Sequence, residues 1–116
     1  MDLRTSLWHD THPVPATGTD RLSPGDRFDT VVAGAGLTGL ATAVLLARAG
    51  QQVAVVEARS VGAVATGNTT AKVSLLQGTT LAEISRHQSD QVLRSYVEGN
   101  RWGQAWLLRY LDENGI

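Results

Sequence analysis

The stretch "VVAGAGLTGLATAVLLARAG", Val31 to Gly50, limits the possible folds more than any other part of the chain. Gly34, Gly36 and Gly39 stand between two segments of different texture. Before them, "RFDTVVA" (27–33) is a short β-branched run and reads as a strand. After them, Leu40 to Ala49 is rich in Ala and Leu and reads as a helix, with Gly50 as its C′ residue. "QQVAVVE" then supplies a second strand, Gln52 to Glu57. A crossover of this length between two strands makes a βαβ unit with parallel strands. Arg48 is the helix's only charge, so packing on more than one side is expected. A membrane span is the competing reading of the uncharged run from Val31 to Ala47. That run falls short of the ~20 apolar residues needed to cross a bilayer, and it is broken by glycines and threonines.

The spacing Gly34-x-Gly36-x-x-Gly39 is weak on its own. It gains meaning because it follows a strand and opens a helix. Gly34 permits a sharp turn. Gly36, without a Cβ, lets a pyrophosphate approach the helix N-terminus, where unpaired N–H groups and the dipole favour negative charge. Gly39 lets the helix lie close to the strand. Glu57 closes the second strand where an acid would meet a ribose diol, accepting hydrogen from both hydroxyls and repelling a 2′-phosphate. The alternatives are a packed turn without a ligand and, for Glu57, a solvated strand end.

Around this unit the chain divides into an irregular arm (1–26) and a body (27–116). The body comprises the βαβ unit (27–57), a loop (58–78) and a helical segment (79–116). The arm holds Pro13, Pro15 and Pro24, and Trp8 is the residue expected to pin it to the body. In the loop, Lys72–Leu76 reads as a short strand. Thr80 with Glu83 suggests a capping box for a short helix. Asp90 is then expected to cap a long helix running to about Asp112, closed by Gly115. Val92, Tyr96, Gly99, Gly103, Trp106 and Tyr110 recur at helical spacing, widened by Leu93, Val97, Leu107 and Leu111. Gly99 and Gly103 weaken that helix but would admit another backbone at close range.

Composition narrows the functions. The chain has 116 residues, enough for one modest core, and a formal net charge of -1 with no basic stripe. Nucleic acid and anionic membrane surfaces are therefore not expected partners. The absence of cysteine removes disulfides, thiolate metal sites and iron–sulfur ligation from this chain. His9 and His12 lie close in sequence but lack an evident third ligand. His87, between two helices, reads as a surface or capping residue rather than a base. "MDLRTSLWHD" carries early charges and no apolar h-region, so a secretory signal is not expected and the cytoplasm is the default location.

The segment "VVAGAGLTGLATAVLLARAGQQVAVVEAR" resembles the N-terminal FAD-binding segment of the glycine/D-amino-acid oxidase (DAO) superfamily of flavoproteins. The loop "GAVATGNTTAKVSLLQG" resembles the one that wraps the flavin side of the cofactor there. "TGNTTAK" and "SLWHDT" are similar to the branch carrying a C-terminal Rieske domain. The resemblance covers residues 27–78 well, and the long helix in character only. It implies an α/β fold: the N-terminal βαβ portion of a Rossmann-like FAD-binding domain followed by helices, incomplete as it stands. It implies FAD as cofactor, with Gly34, Gly36, Leu37, Thr38 and Gly39 at the pyrophosphate. Glu57 and Ala58 would lie at the adenosine ribose, and Arg59 near the adenine. Thr69, Thr70 and Ala71 would approach the pyrophosphate, ribityl chain or flavin. Lys72 matches a position where related amine oxidases place a cation near the flavin, favouring its reduced form. For Thr69, Thr70 and Lys72 an ordinary polar loop and a surface lysine are the plain alternatives.

The function expected from this resemblance is flavin-dependent oxidation of a C–N bond in an unknown small molecule, with no catalytic base identifiable here. Later strands and a closing segment that complete such sites in the family are not in this sequence. The expectation is therefore the N-terminal part of a longer enzyme, dependent on a missing C-terminal part or on self-association. A non-catalytic nucleotide-binding module and part of an NAD-dependent dehydrogenase are the other two readings.

Overall fold

A computed structural model describes residues 6–11, 21–75 and 77–116. The chain falls into two compact units, Met1–Ala71 and Lys72–Ile116.

The first unit is built on the expected βαβ pattern. Strand β1 (Thr30–Ala33) leads into helix α2 (Leu37–Arg48) and on to strand β2 (Val53–Val56); a short helix, α1 (Leu7–Thr11), precedes them. The strands pair in parallel, with Thr30 opposite Val53 and Ala33 opposite Val56. Polar contacts fix the entry to the pair: Gln52 N–H donates to Asp29 Oδ2 at 2.8 Å, and Asp29 N–H donates to the Gln52 carbonyl at 2.9 Å. Both strands are shorter than the β-branched runs, because pairing lasts only while both chains stay extended. The helix begins earlier than the Ala- and Leu-rich run. Its first turn takes in Leu37, Thr38 and Gly39. Gly50, at φ +87°, closes it as expected.

The core of this unit consists of small residues: Ala35, Ala43 and Ala54 are its buried apolar side chains. Small side chains let α2 sit close on the two strands it packs against. Val32 faces that helix, since its Cγ1 lies 3.4 Å from where a Cβ on Gly39 would stand. Strand alternation turns Val31 to the opposite face, where it is 56% exposed. The expectation that α2 is packed on more than one side is not met among the described residues: Leu37 and Leu45 are about half exposed.

The second unit holds helices α3 (Thr80–His87) and α4 (Asp90–Glu113), which pack on each other. The anticipated strand at 72–76 is absent from the described residues 72–75. That segment and the residue after it are tied to α4 through side chains instead. Gln77 donates to Asn100 Oδ1 at 2.7 Å and accepts from the Tyr96 hydroxyl, and Gln104 reaches the Val73 carbonyl at 3.5 Å. Two caps differ from expectation. Ser89, not Asp90, caps α4, accepting from Val92 N–H at 3.4 Å. No capping box forms on α3. Thr79 occupies its N-cap without a side-chain bond, and Glu83 pairs with Arg86 at 2.9 Å and His87 at 3.5 Å. Along α4 the half-buried positions include Leu93, Tyr96, Val97, Leu107 and Leu111, as the stripe anticipated, whereas Val92, its first member, is exposed. Trp106 and Tyr110 stack with centroids 5.5 Å apart. Gly99 and Gly103 are exposed, and nothing lies within 4 Å of a Cβ at either. The close backbone approach they would admit does not occur within the described residues.

Candidate functional site at the glycine-rich turn

At the carboxyl ends of β1 and β2 the chain makes the turn from Gly34 to Gly36. Gly34 takes φ +103°, a conformation that side chains rarely adopt, while its N–H extends the sheet by donating to the Val56 carbonyl at 2.7 Å. Gly39 is required for a different reason. A Cβ there would collide with the Gly34 carbonyl oxygen, so only glycine lets the helix return this close to the turn. Gly36 is the N-cap and offers no side chain to the first-turn amides. Those amides have no intrahelical acceptor, which leaves them suited to an anion.

Glu57 folds back onto this turn. Its Oε2 accepts from Ala35 N–H at 2.8 Å and its Oε1 from Arg59 N–H at 2.9 Å. The Ala35 amide, then the Arg59 amide, hold its carboxyl below the usual carboxylate value. Partial desolvation opposes them, and the Ala58 amide and the Arg59 charge add smaller pulls. Glu57 is therefore neither a free strand end nor buried: it is an exposed, ionised acceptor at the mouth of the turn. An open cleft of about 450 Å³ lies here, lined by Ala33, Gly34, Val56, Glu57 and Ala58.

The loop after β2 also belongs to the site's surroundings. Gly62 N–H donates to the Ala35 carbonyl at 3.0 Å, and the Thr66 hydroxyl accepts from Leu37 N–H at 2.9 Å. Thr66 thus fills the capping role that Gly36 leaves open. In the sequence it figures only as the first residue of "TGNTTAK", with no role of its own. A hydroxyl one position before the glycine of that motif was the available signal. Asn68 braces the same loop from within, donating to the Val64 carbonyl at 2.6 Å. Of the other anticipated residues, Thr69 and Thr70 are exposed loop positions in the first unit. Ala71 holds a left-handed φ of +54°, unusual for a residue with a Cβ. Lys72 is exposed and begins the second unit. The structure thus brings together Gly34, Gly36, Leu37, Gly39, Glu57, Ala58 and Arg59, with Thr66 added.

Other expectations concern different regions. Trp8 ties the described part of the arm, residues 6–11, to the loop: its indole N–H donates to the Thr69 carbonyl at 2.8 Å. His12, like Pro13 and Pro15, lies outside the described residues, and no metal-binding cluster occurs among those described. Among the described residues no helix is long and apolar enough to cross a membrane.

The strands, the turn and the acid define an α/β chain with a small parallel sheet and a glycine-rich βα turn. The family model of FAD dependent oxidoreductases (DAO) matches residues 29–116. The chain belongs to this family, which is FAD-binding. No curated protein and no solved structure gives a match.

Proposed function

We propose that this chain binds the ADP portion of FAD at the Gly34–Gly39 turn, as the cofactor-binding part of a flavin-dependent oxidoreductase. The observation that carries this reading is that two chemistries adjoin at one turn, where Glu57 is bonded to the Ala35 amide just before the start of α2. The start of α2, where Gly36 offers no side chain and Thr66 takes only the Leu37 amide, suits a pyrophosphate, and the ionised Glu57 suits a ribose diol. The turn's fit to the cofactor rests on Gly39 and Gly36, where a Cβ would meet the Gly34 carbonyl or approach Thr66 Oγ1 to 3.3 Å.

When bound, FAD supplies a two-electron acceptor for oxidation of a small-molecule substrate, of the C–N type in the resemblance described above. The chain's own residues bind and orient. The first-turn amides of Thr38 and Gly39 neutralise phosphate charge, and the Leu37 amide joins them by exchanging Thr66 Oγ1 for a phosphate oxygen. Glu57 exchanges its contact with the Ala35 amide for ribose hydroxyls, and Ala58 and Arg59 flank the adenosine. Thr66, Thr69, Thr70 and Ala71 belong to the loop that would meet the rest of the cofactor, and Lys72 would add a cation toward the flavin. The similarity to the Rieske-fused branch and a cytoplasmic setting belong to the same proposal.

Calorimetric titration with FAD, ADP-ribose and NAD tests it. FAD binding tighter than ADP-ribose is expected, because the loop adds contacts to those of the turn. Equal binding of all three favours a nucleotide-binding module that reads only the ADP half. Preference for NAD favours a dehydrogenase. No binding of any of them overturns the proposal.

A further inference from the structure

The arm helix α1 touches the one loop that the proposed FAD site needs to hold still. Three contacts converge on residues 67–69, each from about sixty positions away in sequence. The Ser6 hydroxyl donates to the Gly67 carbonyl, and the Trp8 indole donates to the Thr69 carbonyl at 2.8 Å. The His9 imidazole lies over Gly67, where a Cβ would meet both that ring and the Gly62 carbonyl oxygen. Gly67 is buried between the arm and its own loop, where its N–H donates to the Gly62 carbonyl at 2.7 Å, although its neighbours Asn68 and Thr69 are exposed. On its other side the loop is tied to the turn, through Thr66 to Leu37 and through Gly62 to Ala35.

Peptide planarity gives these contacts a consequence. In a trans peptide the carbonyl and the following N–H point in opposite directions, and the described chain has no cis bonds. Ser6 and Trp8 draw the carbonyls of Gly67 and Thr69 toward the arm. The N–H groups of Asn68 and Thr70 are thereby turned away from it. Two donors of the loop are set in direction by two side chains of the arm.

We infer that residues 6–11 form a clasp, with Ser6 and Trp8 as positioning residues that set the peptide planes of the cofactor loop. This rests on the FAD reading above. The clasp acts on the loop and not on the turn or Glu57. Its loss therefore weakens the part of FAD binding that goes beyond ADP-ribose.

The test uses the full chain with Trp8→Phe, which keeps an aromatic ring but removes the donor, and with Ser6→Ala and Ser6→Thr. Titration with FAD and ADP-ribose should show FAD binding weakened roughly 3- to 10-fold in Trp8→Phe and Ser6→Ala, the size of one lost hydrogen bond. ADP-ribose binding should stay within about twofold, and Ser6→Thr, which retains the hydroxyl, should restore FAD affinity. Equal losses for both ligands, or none for FAD, overturn the clasp. Hydrogen exchange on the ligand-free chain probes the same contacts independently of any ligand. Amides of residues 62–70 should exchange faster in Trp8→Phe than in the parent, and unchanged exchange overturns the clasp. If the parent chain binds neither ligand, the FAD reading has failed, and the exchange result alone decides whether the arm holds the loop.

Discussion

Glycine is placed at short spacing in two regions of this molecule, with opposite physical meaning. In the βα turn two glycines answer a constraint. Gly34 takes a backbone conformation closed to most residues, and Gly39 stands where a Cβ would strike a carbonyl oxygen. In α4, Gly99 and Gly103 sit in ordinary helix with open space around them. The turn uses glycine for its geometry. The helix carries it at a cost in backbone entropy that no contact among the described residues offsets. Spacing alone does not distinguish these cases; the strand before the turn and the helix after it do.

The comparison breaks most sharply at Gly39. Gly39→Ala should destabilise the first unit by about 3 kcal/mol or more, because the obstacle is backbone and has little freedom to move. Chemical denaturation followed by far-UV circular dichroism measures it; a loss below about 1 kcal/mol would mean that the turn is looser than described.

Much of this turn is legible in the sequence. The strand, the glycines and the Ala-rich helix are local and periodic, and Glu57 falls at a strand end. What escapes a sequence reading is tertiary. Thr66 caps Leu37 from 29 positions away, and the arm's contacts with Gly67 and Thr69 span 61. The helix caps show the limit of a local signal. Ser89 and Asp90 are adjacent and both carry acceptors, and only the chain's entry angle selects Ser89. Glu83 has a capping role open to it, but Arg86 and His87 one turn ahead hold its carboxylate instead. Among the described residues 72–75 the anticipated strand finds no strand partner: the Val73 carbonyl meets a side chain of α4, and Gln77 is held by that helix too.

Thr66→Val should cost about 1 kcal/mol, since it keeps the side chain's shape while removing the acceptor for the first amide of α2. Faster exchange of the Leu37 amide would locate the effect. An unchanged Leu37 amide would contradict the capping contact.

Gly99→Ala and Gly103→Ala carry the opposite sign. Each should stabilise the second unit by about 0.5–1 kcal/mol, because the helix gains propensity and meets no obstruction. Destabilisation by either would show that the glycine face of α4 is covered in solution.

The smallest effect is expected at Glu57. Its folded value lies below its ordinary one, so its stabilisation is complete above the ordinary carboxylate range. It is lost as pH falls through the lowered value. Glu57→Gln should remove that part of the acid sensitivity while leaving stability near neutrality less than the parent's. An identical pH profile in parent and variant would remove the Glu57–Ala35 contact from the account.

The central claim is that the glycine turn and Glu57 form a nucleotide-binding cleft while the α4 glycines do not take part. Amide chemical-shift mapping on the isotopically labelled chain, titrated with FAD, tests it most directly. The account predicts the largest perturbations at Ala35 to Gly39 and at Glu57 to Arg59, with smaller ones in residues 62–70. Perturbations confined to residues 90–113, or none at the turn under saturating FAD, would contradict it.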